Sequence, residues 1–201
     1  MANQPILNEH PLASPIGTQY SYDDYLEFES LSTTRHEYWN GSILAMTGGS
    51  FGHGIRITAI IHSLIEQLKN RPCQVATEIS IRVINKTYNI ALYPDITVVC
   101  GPPQYHDGKI QAITNPTTII EVLSPSTERY DRINKLAAYR TIPSLREIIY
   151  IAHDEKRIDI IERTDEINAI WIESTDHKTI RIPSINCKLD AKTIYAGSGT
   201  L

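Results

Sequence analysis

The chain is predicted to fold as an α/β (α+β) protein, with a central mixed β-sheet flanked by helices and extra antiparallel strands toward the C-terminus. Short β-branched runs bounded by Gly, Pro, Asn and Asp recur along its length. Two stretches show helical spacing instead. Of its 201 residues 41% are hydrophobic, enough to bury one sizeable core.

The elements follow in order. Ser21 and Asp24 make a capping arrangement that starts a short helix ending near Leu31. In "RHEYWNGSILAM" the Asn40-Gly41 pair tolerates positive φ, so Arg35–Trp39 and Ser42–Met46 should form a hairpin. Ile57, Ile60, Ile61, Leu64, Ile65 and Leu68 then recur on one helical face until Arg71-Pro72. Strands are expected over about Gln74–Ile84, Ala91–Cys100, Thr117–Leu123 and Glu147–Ala152. A helix introduced by Ser124-Pro125-Ser126-Thr127 runs to about Thr141, before Pro143. Arg157–Arg163, Ala169–Ser174 and Thr179–Ile182 read as a closing meander.

One domain over 20–201, preceded by a flexible arm over 1–19, accounts for the whole pattern. Cys73, Cys100 and Cys187 are far apart and form no paired motif, so neither a disulfide framework nor a zinc knuckle is expected. A reducing cytoplasm fits that usage, as does an N-terminus without a secretion signal. No run of eighteen apolar residues is present, so no membrane span is expected. The net charge of −4 argues against a protein that simply coats nucleic acid. Ser126–Arg146 nevertheless holds Arg129, Arg132, Lys135, Arg140 and Arg146 against only Glu128 and Asp131, either a binding stripe or a solvated helix face.

Two carboxylates stand inside β-forming runs, Asp95 in "LYPDITVV" and Glu121 in "PTTIIEVLSPST". Strand alternation puts Ile119, Glu121 and Leu123 on one face. A charge among aliphatic neighbours is costly unless it is compensated. If the two strands pair, Asp95, Glu121 and the Val122 carbonyl offer the oxygen ligands that Mg²⁺ or Mn²⁺ prefers. Alternatively, Asp95 caps a turn after Pro94 and Glu121 pairs with an arginine.

The stretches "YSYDDYLEFES", "RHEYWNGSILAMTGGSFGH", "YPDITVV", "IIEVLSPST" and "DRINKLAAYRTIPSLREIIYI" resemble the Uma2 family of putative restriction endonucleases, placed in the PD-(D/E)XK nuclease superfamily. The resemblance covers most of the chain. It implies a restriction-endonuclease-like core, metal roles for Asp95 and Glu121, and Glu37 of "HEYWNG" as an upstream acid. The superfamily's lysine, two places after the glutamate, is Leu123 here. In the family the lysine comes from the following helix, which points to Lys135. Tyr139, one turn on, shares the face of Lys135 and is a candidate substrate contact. Without the resemblance, Asp131 and Lys135 are an ordinary surface pair and Glu37 a solvent-facing strand acid.

His53, in "GGSFGHGIR" before the long helix, is either a contact to the scissile phosphate or a structural residue near a cap. That stretch lacks the Gly-Lys-Ser/Thr of a nucleotide-binding loop, so no nucleotide cofactor is expected. The other histidines form no zinc motif, and Ser124 and Ser126 sit in no nucleophile elbow. The expected function is metal-dependent hydrolysis of DNA phosphodiesters by a homodimer. Its alternative is an inactive nuclease-like module that binds nucleic acid or protein. The apolar runs "IIYIA" and "IDIIE" supply a reason for the dimer.

Overall fold

A computed structural model describes residues 18–46, 48–108, 112–165 and 170–197. The expected N-terminal arm therefore lies outside the described residues up to position 17.

Helix α1 (Tyr22–Leu31) begins at the predicted capping box: Asp24 N–H donates to Ser21 Oγ at 3.1 Å, and Ser21 N–H donates to the Asp24 carboxylate at 2.8 Å. Strands β1 (His36–Trp39) and β2 (Ser42–Ala45) form the expected hairpin, with φ of +47° at Asn40 and +96° at Gly41. Helix α2 (Phe51–Leu68) buries Ile60, Leu64 and Leu68, whereas Ile65 faces outward.

Each of the next two predicted strands is broken. The first becomes β3 (Cys73–Ala76) and β4 (Ser80–Ile84), separated at Glu78, which has a left-handed φ of +57°. The second becomes β5 (Asn89–Leu92) and β6 (Ile96–Cys100), separated by a segment containing Pro94, which has no N–H for a ladder. The pieces join different sheets, which places Asp95 at the seam. After β7 (Ala112–Ile113) and β8 (Thr118–Val122), helix α3 (Glu128–Tyr130) passes through a π-helical turn (Asp131–Lys135) into α4 (Leu136–Tyr139). Strands β9 (Glu147–Ile151), β10 (Ile158–Asp165), β11 (Ile170–His177), β12 (Thr179–Ile182) and β13 (Cys187–Asp190) follow, and α5 (Ala191–Ile194) closes the order.

The strands form a mixed six-stranded sheet, β11-β10-β9-β8-β6-β3, a five-stranded sheet, β2-β1-β5-β4-β7, and the β12-β13 hairpin. One face of the six-stranded sheet, with Ile120, Val122, Ile149 and Ile151, packs on α2 and the C-terminal hairpin. Its other face, with Ile119, Leu123, Ile148 and Ile161, shares a core with Trp39, Leu44, Ile81 and Ile90 of the five-stranded sheet and with Ala138 and Tyr139 of α4. The strands "IIYIA" and "IDIIE" are covered on both faces within the chain, so the apolar surplus taken as a sign of a dimer is spent internally.

Cys73 and Cys100 are register partners across β3 and β6 and are joined by a disulfide, contrary to the expectation from their spacing. Residues 27 apart in sequence become neighbours once antiparallel pairing is set, a relation that spacing does not reveal. Cys187 is free and buried. Among the described residues no helix is long and apolar enough to cross a membrane.

Candidate active site

Asp95 and Glu121 meet through strand pairing. β6 runs antiparallel to β8 with Ile96 opposite Ile120, so Asp95, one step before β6, falls beside Glu121. Each carboxylate accepts a main-chain N–H from the other's segment: Val122 N–H donates to Asp95 Oδ2 at 2.7 Å, and Asp95 N–H donates to Glu121 Oε2 at 3.2 Å. The two acids thus fix one another across the sheet. Both line a cleft of about 590 Å³, together with Glu37, His53, Asp131 and Lys135.

The helix after β8 delivers the next two groups. In its π-helical turn Asp131 and Lys135 point to the same buried side, and Ile133, 50% exposed, points away. The pair is therefore buried and not on the surface. The wider π turn brings residues four apart closer to alignment than an α turn does, and such turns recur at functional sites. Lys135 Nζ lies 3.1 Å from Asp131 Oδ1, 3.2 Å from Glu37 Oε1 and 3.3 Å from Glu121 Oε1. Burial works against its charge, but Asp131, Glu121 and Glu37 outweigh that and push its pKa well up. Lys135 is an ammonium at every physiological pH, a donor and not a base.

Glu37, on β1, is buried; its carboxylate accepts from Tyr130 Oη at 2.7 Å and from Tyr93 N–H at 3.2 Å. Tyr139 is wholly buried and its hydroxyl donates to Glu121 Oε1 at 2.8 Å, so the structure places this candidate substrate contact beneath the carboxylate. Glu121 has no arginine partner among the described contacts. Its pKa is pushed up to about 8, chiefly by burial, with the Asp131 and Asp95 charges adding to it and Lys135 opposing.

His53 sits over Asp95. Ser50 caps α2 by accepting the His53 N–H at 3.2 Å, and the ring lies with Nε2 3.3 Å from Asp95 Oδ2. The ring also hydrogen-bonds the Val122 main chain; this must be the carbonyl, since the Val122 N–H is given to Asp95. The Asp95 hydrogen bond, partly offset by burial, raises the imidazole pKa. The ring thus spans two of the oxygens expected to hold a metal.

Among the described residues no group of three or more His, Cys, Asp or Glu side chains is arranged to ligate an ion by side chains alone. The set here is two carboxylates and one carbonyl, which suits a hard cation that keeps several waters. Charge points the same way, since the cleft lining holds Glu37, Glu78, Asp95, Glu121 and Asp131 against Arg35, Lys135 and His53. The oxygen set and the acidic excess fit Mg²⁺ or Mn²⁺.

Asp131 and Tyr130 escaped the sequence reading. Their signal was helical phase: Tyr130, Asp131, Asn134, Lys135, Ala138 and Tyr139 occupy the buried side, where three ionisable or amide groups would be out of place without partners. Of the remaining bases of that run, Arg132 is paired, with Asp159 and Glu128.

A family model, Uma2, described as "Putative restriction endonuclease", matches residues 22–184. Two relatives come from Synechocystis sp. (strain ATCC 27184 / PCC 6803 / Kazusa). "Uncharacterized protein slr1290" is 31% identical over 179 residues, covering 88% of this chain and 92% of the relative. "Uncharacterized protein sll1609" is 32% identical over 129 residues, or 64% and 72% of the two chains. Among solved structures, a "putative nuclease belonging to DUF820" from Anabaena variabilis ATCC 29413 superposes with a TM-score of 0.71 over 90% of this chain and 99% of that one; at 17% identity this likeness speaks for the fold.

Proposed function

The chain belongs to the Uma2 family, and on that premise we propose that it is an endonuclease that hydrolyses DNA phosphodiesters with the help of Mg²⁺ or Mn²⁺. The observation that carries this reading is the reciprocal hold of Asp95 and Glu121 across β6 and β8, in a cleft where acids outnumber bases.

Asp95, Glu121 and the Val122 carbonyl are the groups that would hold the ion. When bound, it lowers the pKa of a coordinated water and neutralises charge developing on the phosphate. His53 must give up Asp95 Oδ2 and the Val122 carbonyl for that, which frees an imidazole to hydrogen-bond a phosphate oxygen. Lys135, held charged, donates to the attacking water and fixes its direction. Glu37 keeps Lys135 in place and is itself oriented by Tyr130. Tyr139 acts from below by holding one Glu121 oxygen, which makes it a positioning residue.

A cytoplasmic site of action is proposed from the DNA substrate; the Cys73–Cys100 disulfide counts against it, because a reducing cytoplasm would keep both as thiols. A homodimer remains part of the proposal, because two sites about a two-fold axis suit cleavage of both strands. β11, at the open edge of the larger sheet with half-exposed Ile170 and Ile172, is the surface offered for it. Light scattering at micromolar concentration should report a dimer.

Plasmid nicking tests the activity. It should appear with Mg²⁺ or Mn²⁺, vanish in EDTA, and fall by at least about a hundredfold in Asp95→Asn and Glu121→Gln, as removal of a key electrostatic group does. DNA binding without cleavage under any metal would leave the interaction module in its place.

A further inference from the structure

A second cavity, of about 500 Å³, adjoins the cleft, and Arg35, Glu78 and Tyr93 line both. We propose that this tyrosine-walled cavity receives one unpaired nucleobase of the strand held at the cleft, a reading that rests on the nuclease proposal.

The walls carry the argument first. Tyr22 and Tyr25 from α1, Tyr93 from the β5–β6 seam and Tyr105 beyond β6 converge on a space within the size range of ligand pockets. Tyr22 and Tyr25 stack on each other, with Arg82 over the Tyr22 ring, and form a fixed wall; Tyr105, 40% exposed, offers the surface on which a planar base can stack, because every base has a π-face. Two polar groups accompany them. Gln74, able both to donate and to accept, lines the cavity. Ser80, only 4% exposed, also lines it, and its Oγ has no hydrogen-bond partner among the described residues. A buried hydroxyl left unpaired is costly, and a base edge supplies the missing partner.

Charge decides which part of a nucleotide enters. Glu29 and Glu78 at the cavity repel a phosphate, so the neutral base goes in. Arg35 stands on the shared wall, half exposed, with its guanidinium 5.4 Å from the Tyr93 ring centre and within 3.9 Å of Glu29 and 3.8 Å of Glu78. It is placed to take the phosphate that stays outside. Extrusion costs least when the base is already unpaired, so the substrate favoured is duplex carrying a bulged or mismatched nucleotide.

Binding to the full chain in EDTA tests this without any cleavage, by fluorescence anisotropy with a fully paired duplex, the same duplex with one bulged nucleotide, and a free nucleoside monophosphate. The bulged duplex should bind about tenfold tighter than the paired one, as loss or gain of one stacked base commonly does. Tyr105→Ala should abolish the preference; Tyr105 is 40% exposed, so the fold should survive, with a thermal melt as the check. Gln74→Ala, at an exposed position, should narrow it. Equal binding of the two duplexes, or a preference that survives Tyr105→Ala, overturns the proposal. A free monophosphate that binds through Tyr105 while the duplexes do not differ would overturn the strand as the source of the base. Metal-dependent nicking without a bulge preference would sink the pocket and leave the nuclease standing.

Discussion

Lys135 carries one positive charge and meets Glu37, Glu121 and Asp131 at once, and this arithmetic governs what single substitutions should do. Lys135→Ala leaves those carboxylates buried and facing one another. Removing one partner from a buried ionic cluster costs about 3–5 kcal/mol, so this variant should melt markedly lower in EDTA, with part of the loss recovered in Mn²⁺. Glu121→Gln acts differently. Its carboxyl is pushed up to about 8, chiefly by burial with the Asp131 and Asp95 charges adding to it, so at neutral pH it is largely protonated already and a neutral group of the same shape changes the local charge little. Its EDTA melt should be unchanged or higher, while cleavage and Mn²⁺ stabilisation are lost. A clear fall in the EDTA melt of Glu121→Gln, with no Mn²⁺ effect on the wild type, would remove the metal site.

At the scale of elements, two local irregularities decide the site. The break at Tyr93-Pro94-Asp95 sends β5 and β6 to different sheets and leaves Asp95 at the seam; the π-helical turn puts Asp131 and Lys135 on the buried side. The first was announced by a proline, whereas nothing local in the sequence announced the second. The β3–β6 pair adds the Cys73–Cys100 disulfide, which closes a loop with a sequence separation of 27. A cross-link over such a loop contributes about 3.5 kcal/mol in the chain-entropy account. Reductant should therefore lower the melting temperature of oxidised wild type by several degrees and leave Cys73→Ser unmoved. Equal melts with and without reductant would mean that the bond adds nothing.

Across the whole molecule, buried phenols set the alkaline limit. Burial pushes Tyr22 and Tyr195 up to about 12, and raises Tyr25, Tyr130, Tyr139 and Tyr150 further from their ordinary value. The unfolded chain releases those protons near pH 10, whereas the folded chain keeps them. Above that pH the folded state binds more protons, so stability falls as pH rises. The melting temperature should drop steeply between about pH 10 and pH 12, with phenolate absorbance appearing together with unfolding. Phenolate absorbance well before the loss of structure would contradict this.

Elements with a local cause are legible in the amino-acid order. The Ser21 capping box, the Asn40-Gly41 turn and the apolar stripe of α2 each follow from neighbours within a few residues, and all appear, the stripe without Ile65. That order also marks Asp95 and Glu121, because an acid among aliphatic residues is conspicuous without any structure. Where the broken strands go, that Cys73 lies against Cys100, and that Lys135 faces the carboxylates while Ile133 faces out are set by packing between distant segments. The reason is that sheet assignment and helix phase are set by burial summed over distant segments. A carboxylate from β1, another from β8 and an ammonium from the helix after β8 stabilise one another only once the chain has brought them within hydrogen-bond reach.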